Sequence, residues 1–384
     1  MRFLVLSLTA GAGHHAMGNA VIDHLKKEGH ETKLVDYLRP ITKIRAKLAH
    51  EWYFTALKHF GKPINKLYMK LLDRDPNKHA KVNAFTYMTS SKKANKNLEK
   101  VIEEFKPDFI YCTHIYNAYR MSELKKQGKL QGIKTFFIVS DYELIPYIEY
   151  AQNIDYVLTP TTELHEKLHN FGFKETQLLP IGITVNTKFS IHKLPKEEAR
   201  IALGLDPKLP TFMIMNGGVG FGNTLKLIKE ISKIKDYPYQ LVVINGKNEK
   251  MKNKIDQYLE ENKDIKCLNI GFCTNVDEIM DASDMLIGKI GGVAVAEAFN
   301  KELPILVAGN APFQEWSNVL YLGEKNAIKY AENDEQTKDF ILQILKDPSI
   351  LEEMKQNVKE IAMPNATKDF ANFMKSLYNQ KDGN

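Results

Sequence analysis

Twice along this chain, short apolar runs alternate with amphipathic helical patterns, and a polar, proline-punctuated stretch separates the two series. Apolar runs of this length suit strands buried on both faces, and helices between them supply the crossovers that parallel strands need. The opening "RFLVLSLTAGAGHHAMGNAVIDHLKKEGHETKLVDY" already holds one complete unit. An apolar strand runs into a glycine turn, then into a helix with Met17, Val21 and Leu25 on one stripe and Asp23, Lys26 and Lys27 off it. Gly29 closes the helix and "ETKLVDY" begins a second strand, which makes a βαβ unit. Further strands read at "KPDFIYCTHI", "GIKTFFIVSD", "IDYVLTPT" and "TQLLPIGI". The polar break is "NTKFSIHKLPKEEARIALGLDPKLP", after which "TFMIMNGGVGFG", "YQLVVING", "IKCLNIGF", "DMLIGKIGG" and "LPILVAG" continue the alternation. The expected architecture is α/β, with two doubly wound domains over residues 1–190 and 191–364 facing a cleft. A last helix, residues 365–384, is expected to pack back on the first domain. Ligands in such sheets bind outside the carboxyl ends of the strands.

Charge and composition narrow the function classes. No apolar run approaches the roughly 18 residues that span a bilayer, and residues 3–8 are too short for a secretion signal. Cys112, Cys267 and Cys273 have no metal-like spacing, which points to free thiols in a reducing cytoplasm. The net charge is +6, but residues 36–100 alone carry 15 Lys/Arg against 5 Asp/Glu. That window interleaves Lys43, Arg45 and Lys47 with Trp52, Tyr53 and Phe54, a composition suited to an anionic membrane surface. Core-packing helices with a solvated basic face are the alternative. No nucleic-acid-binding motif accompanies the charge.

Candidate chemistry sits where strands hand over to helices. His14 and His15 follow the first glycine turn; a structural turn, a dinucleotide loop and an active-site corner all fit them. "NGGVGFGN" places Gly217, Gly218, Gly220 and Gly222 between a strand and a helix, where bare amides and a helix N-terminus can cradle phosphate. It lacks the Lys-Ser/Thr of a nucleotide-hydrolysing loop. "IGKIGGVAVAEAF" repeats the arrangement with Gly291 and Gly292, and Glu297 follows on the helix where it can accept hydrogen bonds from ribose hydroxyls. "GNAPFQEWSN" brings Gln314, Glu315 and Asn318, side chains suited to sugar hydroxyls, to the same edge. No acidic pair resembles a metal-dependent transferase motif, so no metal and no cofactor are expected.

Together "GAGHH", "GGVGFG", "GKIGGVAVAEAF" and "PFQEWSN", in that order, resemble the GT-B glycosyltransferases that use UDP-sugars. The closest resemblance is to the monogalactosyl/monoglucosyl-diacylglycerol synthases, cousins of the peptidoglycan-precursor N-acetylglucosaminyltransferase. "THI" with His114 and "VSDYELIPYIEY" with Asp141 extend it. The resemblance implies two Rossmann-like domains, His14 and His114 facing the acceptor, the glycines at 217–222 on the diphosphate, Glu297 on the ribose, and Gln314 and Glu315 on the donor sugar. It also implies that the basic segment docks on membranes and that transfer inverts an α-linked donor into a β-glycoside. The family pattern has histidine where Ile145 stands, threonine at Ser140 and proline at Ile290. His14 is the first choice of base and Asp141 the second, because an attacking hydroxyl must lose its proton. The expected function is hexose transfer from UDP-glucose or UDP-galactose to diacylglycerol by a cytoplasmic enzyme peripheral to the inner face of the membrane. A polyprenyl-linked or soluble glycan acceptor, a UDP-hydrolysing epimerase and a non-catalytic UDP-sugar sensor remain alternatives.

Overall fold

The computed structural model of the chain describes residues 1–8, 12–36, 66, 70, 92–215, 223–309, 311 and 314–382. Lys43, Arg45, Lys47, Trp52, Tyr53 and Phe54 lie outside the described residues, as do Gly217, Gly218, Gly220 and Gly222. Two compact units are present, one made of Met1–Thr187, Pro312–Gln314 and Asn365–Asn384, the other of Lys188–Ala311 and Glu315–Pro364.

The first unit is a parallel sheet of β1 (Arg2–Ser7), β2 (Glu31–Asp36), β3 (Phe109–Cys112), β4 (Lys134–Ile138), β5 (Tyr156–Leu158) and β6 (Leu178–Leu179). Its spatial order is β2-β1-β3-β4-β5-β6. Residues 3–6 of β1 and all of β3 are buried, as strands covered on both faces must be. Helix α1 (Gly13–Lys27) lays Met17, Val21 and Leu25 against the sheet. Gly18 is what allows its close approach: a Cβ there would stand 2.6 Å from Val5 Cγ1. On the same unit the C-terminal helix Ala366–Asp382 sets Phe370 against Tyr111 and Phe136, each with ring centres 5.0 Å apart. Such aromatic contacts add to the area they bury.

The second unit is a parallel sheet of β7 (Thr211–Met215), β8 (Gln240–Ile244), β9 (Cys267–Ile270), β10 (Met285–Gly288), β11 (Ile305–Ala308) and β12 (Ile328–Ala331). Its order is β12-β11-β10-β7-β8-β9. Two buried carboxylates on the helix Val276–Ala282 hold the segment that enters this unit. Asp277 pairs with Lys188 at 2.9 Å and Lys193 at 3.0 Å, while Asp281 takes His192 at 2.8 Å and the fully buried Lys301 at 2.8 Å. Among the described residues no helix is long and apolar enough to cross a membrane.

Strand order decides where each unit can bind a ligand. In the first sheet the chain leaves β1 for β2 and then returns to the other side at β3; in the second the same reversal separates β7 from β10. The crevice at such a switch opens at the carboxyl ends of the two strands. Residues 113–114 follow β3 and the first helix begins at Gly13 after β1, so the histidines stand at one switch. In the second half β7 and β10 are the strands of the other switch; Gly291 follows β10, and the glycine-rich stretch 216–222 follows β7 in sequence.

Candidate active site

His14 is oriented by β3. Its Nδ1 lies 2.6 Å from the Thr113 carbonyl oxygen, and a carbonyl only accepts. Nδ1 therefore carries the proton, and Nε2 of the neutral ring keeps its lone pair. Burial pulls the pKa below the ordinary 6.5 against the opposing pull of the Thr113 hydrogen bond and the Asp141 charge. His15 belongs elsewhere: its Nε2 is 3.8 Å from Asp36 Oδ2 at the end of β2. Of the two neighbouring histidines, only His14 is aimed at the switch.

His114 caps helix α2 (Ile115–Lys126), its Nδ1 accepting the Tyr116 N–H at 3.2 Å. Its ring meets that of His14 edge-on, with centres 4.7 Å apart. Burial, and then the neighbouring His14, hold His114 well below 6.5, so it too is neutral. Asp141 follows β4 and accepts from Ser140 Oγ at 3.0 Å. Three consecutive strands of the sheet thus deliver His14, His114 and Asp141 to one edge. Ile145, where the family pattern has histidine, packs on the apolar core of this unit. Sequence reasoning missed Asn117, one turn beyond His114, which is fully buried with neither amide atom paired. Its i, i+3 spacing from His114 in "HIYN" was the available signal.

In the second unit Gly291 caps α4 (Gly292–Asn300), with φ −66° and ψ 141°. That conformation is open to any residue, and an added Cβ would meet nothing within 4 Å. Neither backbone strain nor packing against the described residues calls for glycine there. Glu297 lies on α4, and burial pushes its carboxyl up to about 7; more weakly, the Lys188 charge pulls it down and the Asp277 charge adds to the rise. Gln314 and Glu315 open α5 (Gln314–Glu324). Asn318 on this helix is fully buried, and its Nδ2 donates to the Ile290 carbonyl at 2.9 Å, pinning the turn before Gly291. Among the described residues, no group of three or more His, Cys, Asp or Glu is placed to hold a metal ion.

Asn223 caps α3 (Thr224–Ile231), the helix that follows the glycine-rich stretch after β7, its Oδ1 accepting the Lys226 N–H at 3.2 Å. Asn223→Ala is expected to cost about 1 kcal/mol of stability. Thermal melting measures it, and an unchanged midpoint would show that the cap is idle.

Residues 14–185 match the monogalactosyldiacylglycerol (MGDG) synthase family, and residues 211–379 match the glycosyltransferase family 28 C-terminal domain. The chain belongs to the GT-B glycosyltransferases of the monogalactosyldiacylglycerol synthase family. Among curated relatives, a processive diacylglycerol beta-glucosyltransferase of Bacillus pumilus is 26% identical over 371 residues, 95% of this chain and 92% of the relative. Monogalactosyldiacylglycerol synthase 1 of Arabidopsis thaliana, a chloroplast protein, is 26% identical over 73% of this chain and 53% of its own length. Among solved structures, MurG of Acinetobacter baumannii superposes with a TM-score of 0.63 over 98% of this chain and 99% of its own, at 14% identity. A UDP-GlcNAc 2-epimerase from Neisseria meningitidis gives 0.60 over 98% and 100%, at 16% identity. At those identities the structural matches speak for the fold: two doubly wound α/β units, the GT-B fold. As a member of this family the chain is a hexosyltransferase.

Proposed function

We propose that this glycosyltransferase moves a hexose from a UDP-sugar to the hydroxyl of diacylglycerol, with inversion, to give a β-glycosyl diacylglycerol. The observation that carries the reading is the His14 imidazole, held neutral with its Nε2 lone pair at the switch point of the first sheet. A hydroxyl attacking an anomeric carbon needs a nearby group that accepts its proton, and a neutral imidazole does this at physiological pH. Asp141 supports the imidazolium that forms, since its charge raises the His14 pKa.

The donor side of the reading rests on the second unit. UDP departs with developing negative charge, and amide N–H groups at the starts of α4 and Thr224–Ile231 stabilise that charge electrostatically. The glycines at 217–222 lie outside the described residues and are assigned the same task by their sequence. Gly291 and Gly292 leave the α4 start bare for the diphosphate, Glu297 takes the ribose, and Gln314 and Glu315 take the sugar. Asn318 serves them by fixing the Ile290 turn.

The test is a radiolabelled assay with UDP-glucose and UDP-galactose on vesicles of diacylglycerol and anionic phospholipid. Organic-soluble label from either donor is expected; none from both would discard the lipid acceptor. The basic window 36–100 is proposed to dock the enzyme on the inner, anionic face of the cell membrane. Reversing the charges at Lys43, Arg45 and Lys47 removes about 1 kcal/mol of surface attraction per residue before any repulsion is added. Activity on vesicles is expected to fall at least tenfold, while transfer to a short-chain soluble diacylglycerol stays near wild type. Equal loss on both would assign the window to folding.

A further inference from the structure

The two imidazoles at the carboxyl edge of the first sheet are held in opposite tautomers. His14 must donate from Nδ1, because its partner is a carbonyl oxygen at 2.6 Å. His114 must accept at Nδ1, because its partner is the Tyr116 backbone N–H at 3.2 Å. A neutral imidazole carries one proton, so Nε2 of His14 bears a lone pair and Nε2 of His114 bears hydrogen. The rings stand 4.7 Å apart, edge to face. One site therefore offers a proton acceptor and a hydrogen-bond donor side by side, and each is fixed by backbone.

Resting on the reading above, we propose that His114 Nε2–H grips the ester oxygen on the carbon next to the acceptor hydroxyl, while His14 Nε2 takes that hydroxyl's proton. Diacylglycerol presents this pair of oxygens on adjacent carbons. In the transfer step the hydroxyl O–H bond breaks toward His14 Nε2 and its oxygen bonds the anomeric carbon. The bond from that carbon to the diphosphate oxygen breaks, and UDP leaves with the electron pair. His114 keeps its proton throughout and acts as a specificity-determining residue. It makes the enzyme select a hydroxyl with a neighbouring oxygen over a simple alcohol of equal chain length.

His114 also caps a helix, so its two roles must be separated. Asparagine at this position keeps a good cap but has no donor at the Nε2 position, whereas glutamine places an N–H there and caps poorly. Transfer to dioctanoylglycerol and to decanol is measured for wild type, His114→Asn and His114→Gln, with thermal melting alongside. The preference for dioctanoylglycerol is expected to drop about twofold to tenfold in His114→Asn with the melting midpoint kept, the range for losing one hydrogen bond between neutral groups. His114→Gln should melt lower yet retain more of the preference. An unchanged preference in His114→Asn, or equal loss in both variants, would overturn the proposal. Nitrogen-15 NMR of histidine-labelled protein gives a readout independent of activity: Nδ1–H on His14 and Nε2–H on His114 are expected, and the same tautomer on both overturns it. Wild type that transfers to neither acceptor would instead sink the diacylglycerol reading, leaving the tautomer pair to stand or fall by NMR.

Discussion

Replacing His14 with alanine is expected to lower turnover by about 10²–10⁴, the range for removing a positioned general base. Donor binding should change little, because the loss falls on the chemical step. The pH profile gives a second signature. Burial lowers the His14 pKa below 6.5, and a base works only when unprotonated. At saturating donor the wild-type turnover should therefore be flat above pH 6.5 and fall with acid through a midpoint beneath that value. In His14→Ala this acidic limb should disappear from the residual activity. Turnover within a few-fold of wild type would transfer the role to Asp141, and Asp141→Asn would then be the damaging change.

The second large effect belongs to Glu297, whose buried carboxyl titrates at about 7. If its carboxylate accepts hydrogen bonds from the ribose, Glu297→Ala should weaken UDP binding about tenfold to hundredfold, the range for hydrogen bonds to a charged group. Calorimetry should also find wild type binding UDP more tightly above pH 7 than below it. Stability moves the opposite way. The folded protein keeps this proton to about pH 7, whereas the unfolded chain releases it near 4.5. Folding stability therefore falls as pH rises from 4.5 to 7 and stays at its lower value beyond. Glu297→Gln removes that loss, so the variant should melt above wild type at alkaline pH while binding UDP less well. A variant that melts below wild type at alkaline pH, or binds UDP unchanged, would contradict this account of the residue.

The α/β class was legible because its signal is local. Met17, Val21 and Leu25 form a helical stripe whatever the rest of the chain does, and "FIYC" reads as a doubly buried strand from four residues. The glycine segments and Glu297 could be put forward as donor-site candidates for a related reason: a glycine-rich strand-to-helix connection and an acidic residue along the helix are adjacent in sequence. The first glycine turn was harder to interpret. A dinucleotide loop was among the readings it allowed, and the residue pressed against β1 is Gly18, inside the helix.

What the tertiary structure alone decided is which histidine faces the switch point and in what form. Sequence adjacency makes His14 and His15 equivalent; strand order turns one toward the switch point and the other toward Asp36. Thr113, 99 residues away, sets the tautomer of His14, and the start of α2 sets the opposite one on His114. Burial, not composition, moves Glu297 to about 7 and leaves Asn117 without a partner. Periodicity reports which face of an element is apolar because neighbouring residues share that face. Proton position and charge depend on groups brought close only when distant strands pair, and no local pattern encodes them.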